Sequence, residues 1–150
     1  MDVKEAIKRR RSVRSYKDRE VSQAILDELM DSVRMAPSAS NRQDWKFILV
    51  KKQSIKDKLF EASNKQSFVK EAPVVIAGVA TDPEDKMSCD VEAGIVDLAI
   101  TLDHLTLRAA EEGLGTCWIG AFDQEKAKEI LGVPEEHKII SLMPLGYPTY

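Results

Sequence analysis

The stretch Asp90 to Gly113, DVEAGIVDLAITLDHLTLRAAEEG, decides the fold. Its apolar residues, among them Val91, Ile95, Val96, Leu98, Ala99, Leu102, Leu105, Leu107 and Ala109, fall on more than one face of a helix. A helix over these ~24 residues would run roughly 36 Å. A helix that is apolar on several sides has to be covered on several sides. In a chain of 150 residues the extra cover points to a second subunit. Gly113 is the expected stop, because glycine takes the left-handed conformation that ends a helix.

Upstream, residues 73–80 (PVVIAGVA) read as a buried strand, continuous rather than alternating. Trp45 to Lys51 (WKFILVK) reads as another, Thr116 to Ala121 (TCWIGA) as a third, and Lys138 to Leu145 as a fourth. A short helix is expected from Asp2 to about Arg9, with Val3 and Ile7 on one side. Ser22 caps a second helix whose stripe is Ile25, Leu26, Leu29, Met30 and Val33. Met35-Ala36-Pro37 ends it, since the residue before a proline avoids helical angles. Ser54 with Asp57 resembles a capping box opening a helix to about Ala62. Asp123 caps a last helix that Gly132 stops. Long helices with few, separated strands argue for one domain, an α+β or α/β sandwich.

The 43% apolar content is that of a chain able to pack a core, and no run approaches a membrane span. Two cysteines, Cys89 and Cys117, make a disulfide framework unexpected and a reducing cytoplasm the default. Net charge is −3, but residues 1–19 hold eight basic and three acidic side chains, leaving −8 on the rest. A cationic cluster on an acidic protein suggests a local anion site rather than a nucleic-acid surface. The two histidines, His104 and His137, lack metal-ligand spacing to a cysteine, and structural or solvated roles suit them better. There is no nucleophile elbow, Walker loop or G-x-G-x-x-G. Asp85 and Asp90 could form a carboxylate pair, but a solvated loop and a helix N-terminus also explain them.

Three segments carry candidate chemistry. Arg9-Arg10-Arg11-Ser12-Val13-Arg14-Ser15-Tyr16 is an anion clamp of guanidinium forks and hydroxyls, or a solvated basic helix end. Ala36-Pro37-Ser38-Ala39-Ser40-Asn41-Arg42-Gln43-Asp44-Trp45 offers small residues beside donors and acceptors that suit a heterocycle edge, or it is a capped turn. Gly115-Thr116-Cys117-Trp118-Ile119-Gly120-Ala121 lets backbone groups reach a ligand, or it is a tight turn feeding a core strand. Cys117 has no neighbouring base and reads as a small core residue.

In this order RRSVRSY, APSASNRQDW, EAPVVIAGV, the long helix, GLGTCWIGAF and a final LGYP resemble the nitroreductase family, from about Ile7 to Pro148. The resemblance implies an α+β fold, a central mainly antiparallel sheet flanked by helices, and a homodimer with FMN at the interface. It implies an FMN-dependent oxidoreductase that takes hydride from NADH or NADPH and reduces a nitroaromatic, quinone or similar acceptor. The cofactor supplies that chemistry and the protein orientation and electrostatics. A flavin-modifying or dehalogenating relative without such turnover is the alternative. Carried over by position, Arg10, Arg11, Ser12 and Arg14 hold the phosphate and the pyrimidine edge. Pro37, Ser38, Ser40, Asn41 and Gln43 line the ring and ribityl chain, some from the partner subunit. Trp118, Ile119 and Gly120 pack on the flavin and offer backbone donors, with Gln66 as a further contact. The sequence departs from the family in having Asp44 where proline is usual, a short middle, and Tyr150 only two residues after GYP. Family members continue there with a tail carrying a phosphate-binding Lys or Arg. If this protein lacks that tail, Arg10, Arg11 and Arg14 are expected to hold the phosphate with less help.

Overall fold

Two apolar layers meet on either side of a four-stranded antiparallel sheet, ordered β1-β2-β4-β3, in the computed structural model of residues 1–150. The strands are β1 Trp45–Val50, β2 Val74–Ala80, β3 Gly115–Thr116 and β4 Lys138–Gly146. Every residue of β2 is buried, which is why its sequence is a continuous apolar run. The helices are α1 Val3–Arg9, α2 Gln23–Arg34, α3 Gln53–Ala62, α4 Phe68–Glu71, α5 Ala93–Glu111 and α6 Gln124–Leu131. Helices α2 and α5 cover one face, where Leu26, Leu29, Leu98, Leu102 and Leu105 meet Ile76 and Met143. Helices α3, α4 and α6 cover the other. No helix is long and apolar enough to cross a membrane.

The expected caps at Ser22 and Asp123 form: Ser22 Oγ accepts from Ile25 N at 3.3 Å and Asp123 Oδ1 from Lys126 N at 3.0 Å. Gly113 and Gly132 take the left-handed angles that end α5 and α6. Three expectations need correction. The Ser54–Asp57 box does not form: α3 starts at Gln53 after Lys52, with no side-chain cap, and Asp57 instead accepts from Gln53 Nε2. Helix α5 starts at Ala93 rather than Asp90, because Asp90 sits at φ 68° and Met87 N bonds Val91 O in a turn. The third strand is only Gly115–Thr116. Beyond it the chain touches β4 through one further bridge, Ile119 to Leu142.

Helix α5 is buried on one side only. Leu98, Leu102, Leu105 and Ala109 face the sheet, while Ala99 and Ile95, the latter 41% exposed, face outward. Helix α1 lies against α5 and turns Ala6 inward, leaving Val3 71% and Ile7 56% exposed. The apolar side expected for α1 is therefore its outer side.

Candidate functional site

The basic segment is fastened to the sheet around Val13 and Tyr16. Val13 and Tyr16 are buried, and Arg11, Ser12 and Arg14 stand outside. Val13 N donates to Thr116 O at 2.9 Å and Lys17 N to Tyr147 O at 2.8 Å. The Tyr16 phenol donates to Val13 O at 2.7 Å, and burial pushes its pKa far above the ordinary value. Gly115 makes the close approach possible: a Cβ there would stand 2.5 Å from Val13 Cγ2. Beneath the segment lies Cys117, a core residue as expected. Burial pushes its thiol pKa up, and nearby Arg14 partly opposes that.

Arg9 pairs with Glu5, whereas Arg10, Arg11 and Arg14 pair with no acidic side chain. Arg11 instead donates to Tyr150 O at 3.2 Å, and Tyr150 Oη accepts from Arg14 N at 3.0 Å. Arg10 and Ser12 open onto a cavity of 160 Å³ walled by Ala99, Asp103 and Thr106 of α5 and by Thr116 and Trp118. A second cavity of 190 Å³ shares Arg10, Thr106 and Thr116 and reaches Arg11 and Gly113. Together they form one groove between the basic segment, the outward side of α5 and the stretch after β3.

That stretch alternates. Cys117 N bonds Pro144 O and Ile119 N bonds Leu142 O, while the N–H groups of Trp118 and Gly120 have no partner. Trp118 is 44% exposed, and Ile119 is buried with its carbonyl bonded to Leu142 N and Ser141 Oγ. Ile119 therefore holds Trp118 and Gly120 in place and offers no free group or surface of its own. Gln66 donates to Ser63 O at 3.0 Å and to Ala121 O at 3.5 Å, which puts it beside the same stretch.

The loop after α2 lies elsewhere. It makes a 3-10 turn, Ala39–Asn41, with Ser40, Asn41 and Gln43 at φ of 53°, 52° and 57°. Left-handed angles cost an L-residue roughly 1–2 kcal/mol, less for asparagine. Polar contacts offset this: Gln43 N to Ser38 Oγ at 3.1 Å, Ala39 N to Asp97 Oδ1 at 3.0 Å, Thr81 N to Asp44 O at 3.1 Å, and an Arg42–Asp85 ion pair. Pro37, Ser40, Asn41 and Gln43 are exposed, and Ser38 is half-buried. Asp97, which anchors the loop, and Asp103, which lines the groove, point from opposite sides of α5, roughly 120° or more apart at about 3.6 residues per turn. No hydrogen bond or ion pair joins the loop to Arg10, Ser12 or Arg14 within one chain.

Asp97, Asp103 and Thr106 are the residues that sequence reasoning missed. An acid on a long helix reads as solvated. Only the spacing of Asp97 from Leu98, Thr101 and Leu102 marks it as lying on the inward side.

The family profile described as Nitroreductase family matches residues 7–66 and 61–147. The chain belongs to the nitroreductase family. A provisionally named NADH dehydrogenase/NAD(P)H nitroreductase of Methanothermobacter thermautotrophicus is 35% identical over 99% of this chain and 78% of its own length. The crystal structure of a nitroreductase family protein from Clostridium novyi NT superposes with a TM-score of 0.93 at 32% identity, covering 99% of this chain and 86% of that one. An FMN-dependent nitroreductase from Clostridium difficile superposes at 0.87 with 29% identity, covering 97% and 87%. The α+β fold expected from the resemblance is thus the nitroreductase fold.

Proposed function

We propose that this nitroreductase-family chain is an FMN-dependent NAD(P)H oxidoreductase, acting in the cytoplasm on nitroaromatics, quinones or similar acceptors. The observation that carries this reading is the groove. Arg10 and Arg11, which pair with no acidic side chain, line it with the Ser12 and Thr116 hydroxyls and the unpaired Trp118 N–H, opposite Ala99, Asp103 and Thr106 of α5. That donor set fits a flat, partly apolar molecule with a phosphate at one end and carbonyls along one edge. Bound FMN supplies two-electron transfer between NAD(P)H and the acceptor.

The chain's own groups bind and orient. Arg10 and Arg11 hold the phosphate, Ser12 donates beside them, and Arg14 places positive charge at the pyrimidine edge, where negative charge develops on reduction. Trp118 and Gly120 offer their N–H groups, Trp118 adds a flat wall, and Gln66 steadies the stretch through Ala121. Pro37, Ser38, Ser40, Asn41 and Gln43 complete the site from the partner subunit's loop. Two observations support this homodimer: the loop and the basic segment lie on different sides of α5, and α5 and α1 leave Ile95, Ala99, Val3 and Ile7 uncovered.

The visible spectrum of purified protein tests the reading. It should be yellow, carry about one flavin per chain, and bleach under anaerobic NADH or NADPH. A protein that stays colourless after FMN is added overturns the reading. Recolouring on addition of a nitroaromatic or quinone separates an acceptor-reducing enzyme from a flavin-modifying relative.

A further inference from the structure

Asp97 is 5% exposed and projects from the inward side of α5. One of its carboxylate oxygens accepts from the backbone N–H of Ala39 at 3.0 Å, and no cation pairs with it. One turn further on, Thr101, fully buried, donates to Val33 O at 2.6 Å and fixes the end of α2. Between these two fastenings the chain leaves α2 and enters the only run with three non-glycine left-handed residues so close together, Ser40, Asn41 and Gln43. A buried carboxylate needs its hydrogen bonds, and here the donor is the first residue of that turn.

We propose that Asp97 is a positioning residue for the cofactor site. Its carboxylate holds the turn Ala39–Asn41 so that Ser40, Asn41 and Gln43 are presented outward, toward the groove of a second subunit. This rests on the flavin reading above, in which those exposed side chains contact FMN. Asp97 itself touches no ligand and acts only through the backbone of Ala39. The turn's own amides record its order, because Asn41 N bonds Ser38 O, Arg42 N bonds Ala39 O and Gln43 N bonds Ser38 Oγ.

The test uses Asp97→Ala, which removes the acceptor, Asp97→Asn, which keeps an acceptor oxygen, and Ala39→Pro, which removes the donor and leaves Asp97 in place. Proline suits position 39, since Ser38 is extended (ψ 159°) and Ala39 opens the turn. FMN affinity is read by fluorescence quenching, and exchange of the amides of residues 41–43 by hydrogen–deuterium mass spectrometry without flavin. Asp97→Ala and Ala39→Pro should each weaken FMN binding about tenfold and speed exchange at 41–43, while Asp97→Asn stays within about threefold of wild type. If Asp97→Ala does not fold, Ala39→Pro carries the test. Wild-type affinity in Ala39→Pro overturns the proposal, and so does asparagine failing as badly as alanine. Faster exchange with unchanged affinity also overturns it, because loosening the turn would then leave the ligand unaffected. A wild-type protein that binds no FMN refutes the flavin reading instead, and exchange at 41–43 still shows whether Asp97 holds the turn.

Discussion

The segment Arg10–Arg14 and the loop Ser38–Gln43 carry the two halves of the candidate site, and different physics fixes each. The first is held by packing: Val13 and Tyr16 are sunk in the core, and Gly115 admits Val13 to within contact of the backbone. The second is held by polar bonds over a strained turn, with no buried apolar anchor between Ala36 and Val50. Packing tolerates little change, whereas a polar frame loses strength one bond at a time. The cationic half should therefore fail abruptly and the loop half by degrees.

The sharpest way to break the contrast is Gly115→Ala. Its Cβ would meet Val13 Cγ2 at 2.5 Å and Val13 Cβ at 2.7 Å, and neither is the end of a flexible chain. A loss of about 1–3 kcal/mol in chemical denaturation is expected from overpacking, with FMN binding lost as Arg10 to Arg14 shift. Wild-type stability would show that the segment is not held by packing. Arg10→Ala should separate binding from folding. FMN affinity falls about tenfold or more, as for a lost charge-assisted bond, with stability changed by less than about 0.5 kcal/mol.

Tyr16 sharpens the packed side through pH. Its folded-state pKa is raised by burial, so the neutral phenol is favoured in the fold. That contribution is fully present below the ordinary value of 10.0 and is lost as the pH rises beyond it, because only the unfolded chain then releases the proton. Denaturation measured from pH 8 to 11 should show stability falling above about pH 10, and Tyr16→Phe should flatten that limb while costing about 1 kcal/mol at neutral pH. The smallest effect is expected from Ser38→Ala. Losing the bond to Gln43 N costs about 1 kcal/mol or less, seen as faster exchange of that amide.

The sequence made one half of the site far more legible than the other. RRRSVRSY stands out as an anion clamp or a solvated helix end because no acid interrupts its arginines, and Arg11, Ser12 and Arg14 are exposed in the fold. Helix α2 and the two long inner strands were legible because their apolar residues are the ones the fold buries, whereas α1 turns its apolar Val3 and Ile7 outward. The length of β3 was not. TCWIGA is as apolar as a strand, yet after Thr116 it stays close to β4 through alternate contacts only, and this leaves the N–H groups of Trp118 and Gly120 unpaired. The backbone of the loop was illegible for a related reason. Asparagine tolerates left-handed angles, but serine and glutamine seldom signal them, and the turn is held from outside by Asp97, fifty-eight positions from its partner Ala39.

That the two halves meet only across two subunits can be tested most directly by mixing defective chains. Arg10→Glu reverses charge in the groove, and Ser40→Trp obstructs the loop, so neither homodimer should hold FMN. Random exchange of subunits makes about half the dimers mixed, each with one site free of both changes. Flavin retained after gel filtration should recover to about a quarter of the wild-type amount. A mixture as empty as its two components would show that each site is built within one chain, and would contradict the shared-site arrangement.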